Sequence, residues 1–143
     1  MVCVSKILLS CRDVYVFSIK KSPDHPEKDG KLEMFGGNVE ADETPFEGLV
    51  RELEEEEETG TLAGKVKNTQ PSIYKQFPVD GKMQCIFQME VSEFVFNLLR
   101  AHPDESYGIR TVKKKLFATP DQLNLEQFTP KTQEIFKQLG MIQ

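Results

Sequence analysis

The sequence contains no tryptophan, two histidines and three cysteines in 143 residues. The cysteines (Cys3, Cys11 and Cys85) are odd in number and form no CxxC pair, so we expect packed thiols in a reducing compartment. His25 and His102 each precede a proline in a predicted loop. The composition therefore gives no support to a disulfide scaffold, a zinc site or a histidine-based catalytic triad.

The sequence also has no apolar run that approaches the roughly 20 residues needed to span a bilayer. Residues 1–10 form a short apolar stretch that lacks the basic start of a signal peptide. We therefore expect a cytoplasmic protein without membrane attachment. The length and the apolar fraction of 38% are typical of one globular domain over residues 1–143.

An excess of basic charge is absent as well, because the net charge is −5 at neutral pH. This balance argues against extended nucleic-acid binding, which relies on lysine and arginine to neutralise phosphates. The one basic cluster is Lys113, Lys114 and Lys115. We interpret it as a solvated strand edge or face, with a local phosphate contact as the alternative.

Residues 36–60, in contrast, combine a glycine pair, a short acidic loop and an amphipathic helix. Thr44 and Glu47 match a capping box, and Pro45 suits the first position of a helix. A helix that begins there gathers its apolar side chains on one stripe, made of Phe46, Leu49, Val50 and Leu53. The sequence therefore predicts a glycine turn followed by a helix that packs on the core.

A neighbouring face of the same helix carries Glu52, Glu55 and Glu56, spaced i, i+3 and i+4. Three carboxylates on one turn repel one another unless a cation lies among them, and hard cations such as Mg²⁺ prefer oxygen ligands. The pattern indicates a divalent-metal site. The alternative is a solvated acidic face, which most charge runs are. Against it, negative charge near a helix C-terminus opposes the macrodipole unless a cation compensates.

The chain resembles the Nudix family in the pattern Gly37-x5-Glu43-x7-Arg51-Glu52-Leu53-x-Glu55-Glu56. The family pattern is G-x5-E-x7-R-E-U-x-E-E-x-G-U, where U is a bulky aliphatic residue. Similar residues around it are Gly36, Val39, Thr44 and Pro45.

The chain departs from this pattern at its end, where the family has a glycine and the chain has Glu58. Glycine follows only at Gly60, so two residues look inserted. Counting from the N-terminal side selects Glu52, Glu55 and Glu56, whereas counting back from Gly60 selects Glu57 and Glu58. We favour the first count, because a helix continued to Glu57 would place that side chain on the buried stripe. The helix is therefore expected to bulge or unwind after Glu56.

The resemblance implies an α/β (α+β) fold, with a mixed β-sheet between helices in an α/β/α sandwich. It also implies hydrolysis of a nucleoside diphosphate linked to a further group, with Mg²⁺ as the cofactor and Mn²⁺ as an alternative. The residues that it gives to the metal are Glu52, Glu55 and Glu56, together with the backbone carbonyl of Gly36.

Roles in catalysis also follow from the resemblance. Arg51 is expected to orient the carboxylates and Glu43 to brace the loop or pair with Arg51. Glu56 is the essential carboxylate in this hypothesis, with Glu55 beside it. Glu105 is a candidate general base from a downstream loop, and its alternative is an exposed loop acid.

The substrate is expected to be a small nucleotide, such as ADP-ribose, a dinucleoside polyphosphate or an oxidised nucleoside triphosphate, and an RNA cap is disfavoured. Tyr74, Phe77 and Phe87 could stack on a base, but strand aromatics are more often core. Two other classes stay open, a non-catalytic nucleotide-binding Nudix domain with a regulatory role and an acidic interaction protein. Many relatives form dimers, so a homodimer stays open as well.

The remaining chain predicts strands at 2–11, 14–20, 31–35 and 109–117, and a short strand at Leu62–Val66. A hairpin is predicted between 72–77 and 83–91, around Val79-Asp80-Gly81-Lys82. Residues 92–101 fit either a strand or a helix. Helix starts are predicted at Thr119 and at Thr129, the second one opening a helix with Ile135, Phe136 and Leu139 inward.

Overall fold

The computed structural model describes residues 2–57, 59–100 and 114–141. Seven strands lie in this part of the chain: β1 (Cys3–Cys11), β2 (Val14–Ile19), β3 (Leu32–Glu33), β4 (Phe35–Asn38), β5 (Ile73–Val79), β6 (Lys82–Glu90) and β7 (Lys114–Ala118). Its four α-helices are α1 (Pro45–Glu56), α2 (Thr61–Thr69), α3 (Glu93–Arg100) and α4 (Pro130–Leu139). Two short 3₁₀ turns, Pro120–Gln122 and Leu125–Gln127, precede α4.

The strands form one mixed sheet with β1 at its centre. β1 runs parallel to β6, with Cys3 opposite Met83 and Ser10 opposite Glu90. Its other edge is shared by β4 and β2, which are both antiparallel to it. Beyond them, β5 pairs with β6, while β3 and β7 pair with β2. The mixed sheet is confirmed.

Alternation along the central strands divides the interior into two cores, one on each face of the sheet. Ile7 and Leu9 of β1 pack with residues of α1, α2 and α3. Leu8 packs instead on the opposite face, with Ile135 and Phe136 of α4. Helices therefore cover both faces, and the α/β/α sandwich is confirmed.

The hairpin and the final helix are confirmed. Asp80 and Gly81 have φ angles of 51° and 78°, which is the backbone of a type I′ turn between β5 and β6. Ile135 and Phe136 are buried and Leu139 packs partly against the same core. Of residues 92–101, which fitted either a strand or a helix, Glu93–Arg100 form the helix α3.

One predicted strand is wrong, because Leu62–Val66 lies in the helix α2. Its buried side chains are Leu62, Ala63 and Val66, which repeat with the spacing of a helix face. Other departures are small. The predicted helix start at Thr119 opens only a 3₁₀ turn, and the strand predicted at 109–117 is described only from Lys114 onward.

Cys3, Cys11 and Cys85 form no disulfide with one another, and Cys11 and Cys85 are buried. Burial and the neighbouring Cys3 raise the pKa of the Cys85 thiol. None of the helices in the described ranges combines the length and the apolar character that crossing a membrane requires.

Candidate active site

The start of α1 has the geometry that its sequence predicted. The Glu47 N–H donates to the Thr44 hydroxyl at 3.1 Å, and the Thr44 N–H donates to the Glu47 carboxylate at 2.9 Å. This reciprocal capping box fixes the first turn of the helix, with Pro45 as its first residue. The capping box therefore sets which face each later side chain of α1 occupies.

The apolar stripe of α1 packs on the sheet. Leu49 and Leu53 are fully buried, and Phe46 and Val50 pack partly against the same core. The Ser5 hydroxyl of β1 also donates to the Pro45 carbonyl at 2.7 Å. These contacts hold α1 beside β1 and β4, which brings its carboxylates to the glycine pair.

The glycine pair lies inside the strand β4, so the predicted glycine turn is wrong. Gly36 pairs with Lys6 and Gly37 pairs with Ser5 in the antiparallel ladder between β4 and β1. Gly36 has a φ of 133°, and a methyl group there would overlap the Ser5 carbonyl oxygen. The glycines are needed because the two strands approach closely and because Gly36 has an extended backbone with positive φ.

Two glutamates of α1 lie against this glycine backbone. The Gly36 N–H donates to Glu56 Oε1 at 3.1 Å, and Glu56 is only 7% exposed. The Glu52 carboxylate lies over Gly37, because a methyl group built there would be 2.5 Å from the Glu52 carboxyl carbon. The structure thus brings Glu52, Glu56 and the Gly36 backbone together.

Glu55 lies apart from this pair. Its side chain is 61% exposed, and its carboxylate is 3.6 Å from Arg51. Within residues 2–57, 59–100 and 114–141, no group of three acidic, histidine or cysteine side chains is close enough to hold a metal ion. The set of Glu52, Glu55 and Glu56 is therefore not assembled in this structure, and the role of each as a ligand stays a prediction.

The oxygen atoms near Gly36 and Gly37 are nevertheless of the kind that binds a hard divalent cation. They are two carboxylates and one backbone carbonyl, which are the oxygen ligands that Mg²⁺ and Mn²⁺ prefer. Because Gly37 has no side chain, there is space beside it for the Glu52 carboxylate, and any other residue at this position would fill that space. Glu52, Glu56 and the backbone carbonyl of Gly36 are the groups that could hold the metal here.

Arg51 connects the acidic residues of the site. It donates to Glu43 at 2.8 and 3.1 Å, to Glu52 at 3.1 Å and to the Asn38 carbonyl at 2.9 Å. The hydrogen bonds to Glu43 and Glu52 raise the pKa of the guanidinium, and the one from Arg51 lowers the pKa of Glu43. Arg51 therefore fixes the Glu52 carboxylate beside Gly37, while Glu43 anchors Arg51.

A basic residue that the sequence analysis did not select also reaches the site. The Lys6 ammonium donates to the Gly36 carbonyl at 3.3 Å. A carbonyl oxygen has two lone pairs, so this contact leaves one acceptor position for a cation. The signal in the sequence was a lysine interrupting an apolar strand, between Ser5 and Ile7.

The helix ends after Glu56, as the sequence predicted, and Glu57 follows with an extended backbone. Glu57 is nevertheless buried, and its carboxylate is 3.2 Å from the Lys115 ammonium, itself buried. Lys115 also donates to the Leu99 carbonyl at 3.2 Å. The interpretation of the lysine cluster as a solvated edge or a phosphate contact is therefore wrong for Lys115.

Glu57 serves the helix that follows it. Its carboxylate accepts hydrogen bonds from the Thr59 hydroxyl at 2.6 Å, the Thr59 N–H at 2.9 Å and the Leu62 N–H at 3.1 Å. Burial raises the pKa of Glu57, but these hydrogen bonds and the charge of Lys115 outweigh it and lower the pKa overall. The carboxylate thus caps the N-terminus of α2, where Gly60 has no side chain to do so.

Other predicted site residues do not join the site or cannot be placed. Glu105 and Glu58 lie outside the described residues. Phe87 is core and Phe77 packs partly against the core of α4, whereas Tyr74 is 49% exposed.

Comparison with known proteins gives the family of the chain. A family model described as the NUDIX domain matches residues 3–139. Among curated proteins, no sequence matches the chain.

Solved structures share the fold at low sequence identity. A MutT structure, from work on the proteins of Aliivibrio salmonicida and Vibrio cholerae, is 17% identical, with 96% of this chain and 94% of that chain covered and a TM-score of 0.60. A MutT/Nudix family protein from Listeria innocua is 14% identical, with 96% and 90% covered and a TM-score of 0.62.

A third solved structure is a bifunctional NMN adenylyltransferase/ADP ribose pyrophosphatase from Francisella tularensis. It is 13% identical, with 96% of this chain and 41% of that chain covered and a TM-score of 0.61. The family model spans nearly the whole chain, and these structures show the same fold. The chain belongs to the Nudix family.

Proposed function

We propose that the protein is a Mg²⁺-dependent hydrolase that cleaves the diphosphate of a small nucleotide. The observation that carries this proposal is the convergence of Glu52 and Glu56 on the backbone of Gly36 and Gly37. One buried carboxylate and one held by Arg51 lie beside a backbone carbonyl. Such a group of oxygen donors is suited to a divalent cation bound to phosphates.

The physical problem in this reaction is charge repulsion, because water must approach a polyanion whose leaving group gains more negative charge. A bound divalent ion supplies charge neutralisation and lowers the pKa of a coordinated water. The protein itself contributes by holding the carboxylates in position. Gly36 holds the Glu56 carboxylate through its N–H, and Arg51 holds Glu52. Both carboxylates are therefore oriented before substrate binds, which reduces the reorganisation needed during the reaction.

The comparisons support this proposal at the level of family. One solved structure with the same fold is described as complexed with AMP and a Mn ion. A nucleotide and a divalent ion are thus both accepted by that relative. For this chain, the oxygen donors at Gly36 are the independent reason to expect Mg²⁺ or Mn²⁺.

The test is a panel of nucleotides incubated with the protein and Mg²⁺, with the products separated by chromatography. The panel contains ADP-ribose, a dinucleoside tetraphosphate and nucleoside triphosphates with normal and oxidised bases. We expect at least one compound to be cleaved within its phosphate chain, and cleavage to stop when EDTA removes the metal. If all compounds remain intact with Mg²⁺ and with Mn²⁺, the protein is not the proposed hydrolase.

A second candidate is a non-catalytic Nudix domain that binds a nucleotide and has a regulatory role. Two observations favour it: Glu58 replaces the glycine of the family pattern, and the described residues contain no assembled three-carboxylate group. Calorimetry separates the two functions. A regulatory domain would bind a nucleotide with Mg²⁺ and return it intact, because binding and turnover depend on different groups.

A further inference from the structure

Two lysines lie on the face of the sheet that α4 covers, and a third lies in α4 itself. Lys6 and Lys82 occupy the same alternation as Leu8 and Ile86, which pack on that face. Lys131 lies in the first turn of α4. We refer to Lys6, Lys82 and Lys131 as the lysine face.

The charges of the lysine face are close enough to affect one another. Burial lowers the pKa of the Lys131 ammonium, and the neighbouring charges of Lys82 and Lys6 lower it further, with partial compensation from Asp80. In the described part of the chain, no carboxylate forms an ion pair with Lys131, Lys82 or Lys6. Within the described residues these like charges are compensated only in part, by Asp80, and their repulsion costs folding free energy.

A buried acceptor lies on the same face. Gln84 follows Lys82 by two residues in β6 and is completely buried. Its side-chain Oε1 has no hydrogen-bond partner within the described ranges. A buried polar atom without a partner is uncommon, and this one lies on the same side of β6 as Lys82.

The Gly36 peptide joins this basic face to the acidic site. Its N–H donates to Glu56 at 3.1 Å, while its carbonyl accepts from Lys6 at 3.3 Å. A phosphate chain that is held at the carboxylates through a cation would thus lie beside the Lys6 ammonium, the member of the lysine face that contacts Gly36. Lysine ammonium groups bind phosphate oxygens as point charges, and such bonds are about twice as strong as neutral ones.

We propose that the lysine face, formed by Lys6, Lys82 and Lys131 beside Gly36, is a polyphosphate subsite that binds a third phosphate group of the substrate. The inference rests on the proposed function, because it assigns the substrate class of the same site. A third phosphate next to the cleaved diphosphate is present in nucleoside triphosphates and dinucleoside polyphosphates. ADP-ribose has a neutral ribose at that position, so it would leave the lysine charges without a counter-ion.

The test measures binding of inorganic tripolyphosphate and inorganic pyrophosphate by calorimetry in EDTA, where the metal site makes no contribution. The wild type is expected to bind tripolyphosphate more tightly than pyrophosphate. Lys131→Met and Lys6→Met should each weaken tripolyphosphate binding by about tenfold and remove that preference, since each variant loses one charged hydrogen bond.

The matched control is Lys137→Met, which removes the same charge from an exposed position of the same helix. Its affinity for tripolyphosphate should stay within about twofold of the wild type. If Lys131→Met and Lys6→Met bind as tightly as this control, the lysine face is not a polyphosphate subsite. If the wild type does not prefer tripolyphosphate, the proposal is equally overturned.

Stability separates a binding role from a structural one. Removing one of three repelling charges should leave the melting temperature of Lys131→Met unchanged or raise it. If it falls by more than about 5 °C, Lys131→Arg must restore tripolyphosphate binding, and failure to do so contradicts the proposal.

The outcome is independent of the nucleotide panel. Loss of all hydrolysis with retained lysine-dependent binding would remove the hydrolase and keep the subsite. Cleavage of ADP-ribose in preference to every triphosphate and dinucleoside polyphosphate would keep the hydrolase and remove the assignment of substrate class.

Discussion

Replacing Glu56 with glutamine is expected to lower the rate of Mg²⁺-dependent nucleotide hydrolysis by about a thousandfold while the fold survives. Glu56 is the most buried carboxylate at the glycine backbone, and glutamine removes its charge while keeping an oxygen that can accept from the Gly36 N–H. The loss would therefore come from weaker metal binding. The measurement is steady-state hydrolysis of the substrate that the nucleotide panel identifies, together with a thermal melt.

The matched control for this experiment is Glu54→Gln, two residues earlier in the same helix. Glu54 is 52% exposed and its carboxylate pairs with Lys67 at 2.8 Å, away from the glycine backbone. We expect this variant to retain activity within about twofold. Full turnover in Glu56→Gln would reject the assignment of Glu56, and equal losses in both variants would point to a general effect of charge.

Replacing Lys115 with methionine is expected to reduce the free energy of unfolding by about 3–5 kcal/mol, because it leaves Glu57 buried without its counter-ion. The Lys115 and Glu57 side chains are 1% and 0% exposed, so water can solvate neither of them. The Leu99 carbonyl also loses its donor. Urea unfolding at neutral pH, monitored by circular dichroism, measures the change.

The Glu57 pair should also make stability depend on pH. The folded pKa of Glu57 is lowered, so its contribution is complete above the unfolded value of about 4.3 and is lost as pH falls through the lower folded value. In Lys115→Met the carboxylate lacks its cation and takes up a proton more readily. The deficit of this variant relative to the wild type should therefore shrink as pH is lowered toward and below about 4.3.

An exposed ion pair supplies the control for the buried one. Lys67→Met removes the partner of Glu54, and both side chains are about half exposed. Its effect should stay below about 1 kcal/mol and show little dependence on pH. A Lys115→Met effect of the same small size would show that the Glu57 pair does not stabilise the fold.

The sequence predicted those parts of the structure that depend on local signals. The capping box of Thr44 and Glu47 and the buried stripe of α1 follow from residue spacing alone. The end of α1 after Glu56 was also predicted, because one further turn would have placed Glu57 on the stripe. The type I′ turn at Asp80 and Gly81 has an equally local cause, since both residues tolerate positive φ.

The errors arose where tertiary contacts decide the structure. We interpreted the five residues from Leu62 to Val66 as a short strand, because so short an apolar run fits the periodicity of a strand and of a helix equally well. We interpreted the glycine pair as a turn, whereas glycine is needed at position 36 because the Ser5 carbonyl of the neighbouring strand leaves no space for a side chain. Nothing in the local sequence reports that long-range contact.

The burial of Lys115 and Glu57 could not be predicted from the sequence for a similar reason. Each stands in a run of like charges, and such runs are usually solvated. Only the fold brings Glu57, at the end of α1, to Lys115 of β7. Alternation in β7 gives a weak signal, since Lys115 shares a face with Phe117, which packs against the core of α1.

The central claim is that Glu52, Glu56 and the Gly36 carbonyl hold a divalent ion against the substrate's phosphates. Anomalous scattering from crystals grown with Mn²⁺ and a non-hydrolysable analogue of the cleaved nucleotide tests it most directly. We expect a Mn²⁺ peak within about 2.5 Å of a Glu56 carboxylate oxygen and of the Gly36 carbonyl, with phosphate oxygens completing its coordination. A nucleotide bound elsewhere, or Mn²⁺ bound without contact to either residue, would contradict the account.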